Sequence, residues 1–219
     1  MRGIFNYDGP LFSGLGKVAD LVILNFLVLL CCIPIFTIGP AVTAAHYVAL
    51  KIVRGEGYVF KNFWKSFKEN FVQSIIIEII FVLLIGFAYV AMVILGGAAG
   101  IFAEILKSML LVSIIYTLLI SLWVFPVQSK FINNVPATIK NGYFLSLKYL
   151  FRTIYMGILH LIPIMLFLTF PQIFSILILC CFSVPIFFSA IAYNKVFERI
   201  EEQILEGLEQ QQETVIVEE

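Results

Sequence analysis

The chain has 219 residues, 61% of them hydrophobic and only 13% charged, with a mean hydropathy of +1.02. A soluble domain carries roughly 25% charged residues, so the composition excludes an ordinary water-soluble protein and predicts an all-α, polytopic transmembrane helix bundle. Net charge is zero, but eight of the 14 acids follow Asn194, and the basic residues of the remaining body flank apolar runs, which fits threading and anionic headgroups and points to no nucleic-acid partner.

In chain order, Met1 to Lys17 is rich in turn residues (Asn6, Asp8, Gly9, Pro10, Gly14, Gly16) and reads as a short interfacial lead-in. A first span is predicted over about 18–38, long enough for the ~20 residues a bilayer core requires. Its start is too long for a signal-peptide core and no small-residue cleavage site follows, so it is expected to stay as a helix. Pro34 and Pro40 should kink or stop it, with Thr37, Gly39 and neighbouring helices satisfying the freed carbonyls. Ala41 to Val53 is a further helical piece, either a continuation of that span or half of a tight re-entrant pair.

Lys51 to Asn70 is basic and aromatic. Phe60, Phe63, Trp64, Phe67 and Phe71 fall at helical spacing, with Lys61, Lys65 and Lys68 on another side, which predicts an amphipathic helix in the headgroup plane with its aromatic face on the acyl boundary. Further spans follow at about 73–95 and 105–127, joined by the loop Gly96-Gly97-Ala98-Ala99-Gly100. A second polar connection, Gln128 to Thr153, holds a helix beginning near Pro136. The last two spans, about 154–170 and 173–193, carry Pro163 and Pro185 and should be kinked. Residues 1–205 thus form one helical membrane domain of about five spans. From Asn194 an amphipathic helix starts, with Val196, Ile200, Ile204 and Leu208 four apart, and 206–219 reads as an acidic, disordered tail.

The loops 51–70 and 128–153 hold five and four basic residues while the hairpin tips at 96–104 and 169–172 hold none, so the loops and C-terminus are expected on the cytoplasmic side. Five spans put the N-terminus outside; counting Ala41 to Val53 as half of a membrane hairpin returns it inside. The stretch IKNGYFLSLKYLF (Ile139 to Phe151) resembles FKNFWKSFKEN (Phe60 to Asn70), aligning Lys61-Asn62 with Lys140-Asn141 and Ser66 with Ser146. Duplication and the shared demands of entering a membrane both account for the match.

Chemistry is sparse. Glu78 and His160 lie about two turns into equivalent spans, and an ionisable group at that depth needs a partner, so they are the candidate intramembrane pair. The plainer alternative is a neutral, hydrogen-bonded glutamic acid and a core histidine. Asp20, Asn25, Ser113, Thr117 and Ser121 suit helix-helix bonding better than a ligand. Cys31-Cys32 and Cys180-Cys181 read as buried small apolar residues. His46 and His160 lack companions at zinc-ligand spacing, and no phosphate loop, dinucleotide fingerprint or nucleophile triad occurs, so no catalytic, cofactor or metal residue is expected and the chain reads as a non-enzyme.

Asn6-Tyr7-Asp8-Gly9-Pro10-Leu11-Phe12, Ala19-Asp20-Leu21 with Asn25, Ile33-Pro34-Ile35-Phe36-Thr37-Ile38-Gly39-Pro40-Ala41, and Phe63-Trp64-Lys65-Ser66-Phe67-Lys68-Glu69-Asn70-Phe71 together resemble the YesL (DUF624) family. The resemblance extends over about residues 1 to 205. It implies a multi-pass protein of the bacterial plasma membrane with no catalytic residues to carry over, whose relatives are often encoded beside sugar ABC importers. Two functions follow as expectations. One is an accessory or regulatory component of carbohydrate uptake, partnered by the bilayer and by importer subunits or a second copy. The other is a small transporter with a path between two hairpins, which would need a polar cavity lined by Glu78, Asn25, Ser113, Thr117 or His160.

Overall fold

The computed structural model describes residues 10–173 and 178–218, all of whose regular structure is helical. The elements are α1 (Pro10–Cys31), α2 (Ile38–Arg54), α3 (Val59–Glu69), α4 (Phe71–Ile94), α5 (Ile101–Lys130), α6 (Val135–Lys148), α7 (Leu150–Thr169) and α8 (Ser183–Glu218), with 3-10 turns at Ile35–Thr37, Leu95–Gly97 and Pro171–Ile173. The turn-rich lead-in falls largely on residues 1–9, outside the described part.

Among the described residues five helices are long and apolar enough to cross a membrane; four of them match predicted spans and the fifth, Ile35–Arg54, is additional. The first predicted span breaks in two. Pro34 takes an extended conformation (φ −77°, ψ 122°), α1 ends at Cys31, and the Thr37 hydroxyl donates to the freed carbonyls of Cys31 and Pro34, the latter at 2.7 Å. The segment from Ile35 to Arg54 is therefore a candidate span in its own right. It is also the hub: 67% of it is buried, against 22% or less for the other four. A helix packed among helices does not need large apolar side chains facing lipid. Ala41, Ala44, Ala45 and Ala49 are all at 0% exposure and let α1, α3, α4, α5 and α8 approach its backbone.

The predicted span at 173–193 also changes. Residues 178–182 form turns, and the helix starts only at Ser183, where Pro185 falls in the first turn and needs no intrahelical donor partner. From there α8 is drawn as one helix to Glu218, across the segment read as a disordered tail. Between Glu209 and Glu218 the sequence EQQQETVIVE contains neither Gly nor Pro to break a helix.

Consecutive long helices pack on each other, α1 on α2 and α4 on α5 across short turns, and α7 on α8. Their outward faces are apolar, for instance Val82, Leu83 and Phe87 on α4, Val112 and Ile115 on α5, and Leu161 and Met165 on α7. Such an apolar belt is what a bilayer covers. The core runs through Leu24, Val28, Val48, Trp123, Met156, Ile186 and Tyr193.

Two short helices, α3 and α6, lie between spans at the same end of the bundle, and each meets the next span at a one-residue elbow, Asn70 or Tyr149. Here the expected lipid-facing aromatic stripe is corrected. Phe63 is fully buried and Trp64 and Phe67 pack against the same core, because α3 folds back onto α1 and α2 rather than resting on lipid. Lys61, Lys65 and Lys68 do face outward, and so does Phe60, while Phe71 is half-buried. The aromatics exposed at this end include Tyr58, Phe60, Phe144 and Phe151, the last two on the α6–α7 elbow.

Candidate functional site

Both helices that begin inside the apolar bundle, α2 and α8, have their N-termini satisfied by a side chain from another helix. The first N–H groups of any helix lack intrahelical partners, and in lipid no water replaces them. At α2, the Gly39 N–H donates to Glu78 Oε2 of α4 at 3.0 Å. At α8, the N–H groups of Phe182 and Ser183 donate to Asn25 Oδ1 of α1 at 3.0 and 3.2 Å, and Asn25 Nδ2 donates to the Ile178 carbonyl at 2.7 Å. Asn25 is completely buried. The carboxylate at α2 also meets the positive end of the helix dipole, a favourable place for an acid.

The α2–α4 contact is close because of what occupies it. A Cβ on Gly39 would lie 2.6 Å from the Ser74 carbonyl oxygen and 3.0 Å from the Glu78 Cβ. One turn on, the hydroxyls of Thr43 and Ser74 share a 2.9 Å hydrogen bond. Gly39-Thr43 and Ser74-Glu78 are thus two facing pairs of small or polar residues four apart.

Glu78 and His160 are not brought together. His160 Nδ1 bonds the Met156 carbonyl of its own helix at 2.9 Å, so the two groups have separate partners. His160 instead borders a cavity of about 600 Å³ whose walls, such as Leu29, Val42, Phe167 and Ile186, are apolar except for His160 and Cys181. The Ser113, Thr117 and Ser121 hydroxyls each donate to a carbonyl of α5 itself. None of Cys31, Cys32, Cys180 and Cys181 is in a disulfide, and all four are half-buried rather than fully buried, since both pairs sit where chain breaks loosen the packing. Among the described residues no group of three or more His, Cys, Asp or Glu could hold a metal ion.

Toward the elbow end, polar groups that sequence reasoning missed tie the bundle together. Gln128 of α5 donates to Asn70 Oδ1 at 3.1 Å and Gln73 Oε1 at 2.6 Å, and accepts from the Thr138 hydroxyl at 3.1 Å. Asn70 in turn donates to the Ser66 carbonyl at 3.0 Å. The second elbow is held from the same helix: Trp123 Nε1 donates to the Thr153 hydroxyl at 2.8 Å, and that hydroxyl donates to the Ser146 carbonyl at 2.9 Å. Ser66 and Ser146, matched in the sequence repeat, are both buried beside their elbows. Between α2 and α8, the Tyr193 hydroxyl and His46 Nδ1 lie 3.2 Å apart.

Beyond the core, α8 carries Glu201 to the last turns of α2 and α5, where it pairs with Arg54 at 3.2 Å and with Lys130. Arg54 also donates to Asn194 Oδ1 at 2.9 Å, and Arg152 to the Ala192 carbonyl at 3.1 Å. Burial pushes the Glu201 carboxyl up, but the bonds and charges of Lys130 and Arg54 more than offset this and hold it below the usual carboxylate range. The hydrogen bond from Lys51 likewise lowers Glu56 in the α2–α3 turn.

Residues 21–92 match a family model described as Protein of unknown function, DUF624, the family that the sequence resembles. The matched segment contains Asn25, Gly39, Ser74 and Glu78, hence both cap-supplying side chains, and Ser66 and Asn70 of the first elbow. No curated protein and no solved structure matches the chain.

Proposed function

We propose that this DUF624-type membrane protein is a non-enzymatic accessory or regulatory component of a carbohydrate uptake system in the bacterial plasma membrane, with α3, α6 and the C-terminus on the cytoplasmic side. The observation that carries the reading is the commitment of the buried polar groups. A transporter built on helices that start at membrane depth uses those N-termini to hold its substrate. Here Glu78 and Asn25 occupy both, and the cavity beside His160 is apolar.

Topology supports the same reading. Counting α2 and α8 with the other spans gives six crossings as three hairpins, so both chain ends fall on the side of the basic elbows, where Lys17 and Arg2 also belong. The link to sugar importers rests on the family resemblance. Its partners are importer subunits, which would meet the elbows and α8 whether or not a second copy also binds.

The test is uptake of labelled sugar in the host. Deleting the chain should lower uptake through the importer, and a Glu78→Gln, His160→Ala variant should restore it. Unchanged uptake on deletion would remove the reading.

A further inference from the structure

At the elbow end, the last turns of α2 and α5 enclose a cleft of about 200 Å³ lined by Tyr47, Leu50, Lys51, Arg54 and Lys130. Three cations therefore converge on a space below the roughly 300–1,000 Å³ usual for drug-sized ligands, one that suits a small anionic group. Their side chains keep 30%, 18% and 25% exposure, so they are neither sunk in the core nor free on the surface. Two carboxylates face them. Glu56 holds Lys51 from an exposed turn, and Glu201 bridges Arg54 and Lys130 from α8.

We infer that this cleft is a phosphate-type anion site, and that Glu201 is a built-in competitor which holds two of its three cations when no anion is bound. A guanidinium and two ammonium groups supply charge-assisted donors of the kind that recognise phosphate oxygens. Three cations against two carboxylates leave one positive charge in excess. The location strengthens the assignment: a basic pocket between spans, at their basic end, is where phospholipid headgroups are held. Lys51 also lies 5.9 Å from the Tyr47 ring centroid, which keeps its ammonium at the cleft wall. Anion binding would displace Glu201 and free this stretch of α8 from α2 and α5. The inference does not depend on the accessory reading, because it concerns only what the cleft binds.

The experiment uses the purified full chain in two settings. In neutral detergent, inorganic phosphate is titrated and the thermal midpoint followed. In nanodiscs, retention of an anionic phospholipid is compared with that of phosphatidylcholine. Glu201→Gln should raise affinity by about two- to five-fold, the worth of a partly exposed ion pair. Arg54→Gln and Lys130→Gln should abolish the response. Because those two variants also lose ties to α8, Lys51→Gln, whose partner lies in a turn, serves as the milder cation variant and should weaken binding. A response to phosphate in detergent supports the site with a free phosphate as ligand, and a response to the lipid alone supports it with a headgroup. No response in either setting, or a Glu201→Gln variant that binds more weakly, overturns the proposal.

Discussion

Asn25 of α1 and Ser183 of α8, 158 positions apart in sequence, are joined by a hydrogen bond from the Ser183 N–H to the Asn25 carboxamide oxygen. The last span therefore begins where the first span offers an acceptor. A chain break inside a bundle is tolerable only when such a partner is supplied. Asn25→Ala removes an acceptor for two backbone donors and a donor to the Ile178 carbonyl. The expected loss is about 2–4 kcal/mol, one desolvated backbone group costing about 1–3 kcal/mol. Thermal unfolding in detergent measures it, with Ser113→Ala as a near-neutral control.

Glu78 performs the same task for α2 with a single bond. Glu78→Ala should cost about 1–2 kcal/mol and Glu78→Gln, which keeps an acceptor oxygen, clearly less. A double-mutant cycle between Glu78→Ala and His160→Ala should be additive within about 0.5 kcal/mol, as for sites that share no partner. A larger coupling energy would restore the pair that the sequence suggested.

Gly39→Ala places a methyl group 2.6 Å from a backbone carbonyl oxygen of α4. Overpacking of this kind costs about 1–3 kcal/mol. Gly86→Ala, also helical but with nothing within 4 Å, should be neutral or slightly stabilising. Equal midpoints for the two variants would mean that α2 and α4 are not in close contact.

Glu201 makes the attachment of α8 depend on acid. Its carboxyl is held below its unfolded value, so the contribution is fully present above that unfolded value, about 4.3, and is lost as pH falls through the lower folded value. The protection factors of the amides around Glu201, which correct for the intrinsic slowing of exchange in acid, should therefore fall as pH drops below about 4. In Glu201→Gln they should already be low at neutral pH and change little with acid.

The apolar outline of the molecule was legible in the sequence, because lipid-facing helices announce themselves by bulk hydropathy. The helix α2 was legible as a helical piece over Ala41 to Val53 but not as a span of its own, since a span buried by other spans is rich in alanine and its hydropathy of 1.3 is the lowest of the five. The caps were only half legible. Asn25 and Glu78 stood out as polar residues in apolar runs, but their acceptors bond backbone N–H groups, which no side-chain pattern displays. For the same reason Glu78 invited pairing with His160. The amphipathic period of α3 was correct while its environment was reversed, because the same periodicity serves a helix lying on lipid and one lying on protein. Arg54, Lys130 and Glu201 belong to three different helices, so their convergence had no local signature.

The account turns on the chain acting through a partner rather than carrying a solute itself. The most direct measurement is crosslinking and affinity capture of the full-length chain from native membranes grown on the transported sugar. The account predicts that membrane subunits of a sugar importer are recovered, and that removing residues 195–219 or replacing Phe144 and Phe151 by Ser reduces their yield. Recovery of the chain with itself alone, from membranes in which the importer is present, would contradict it.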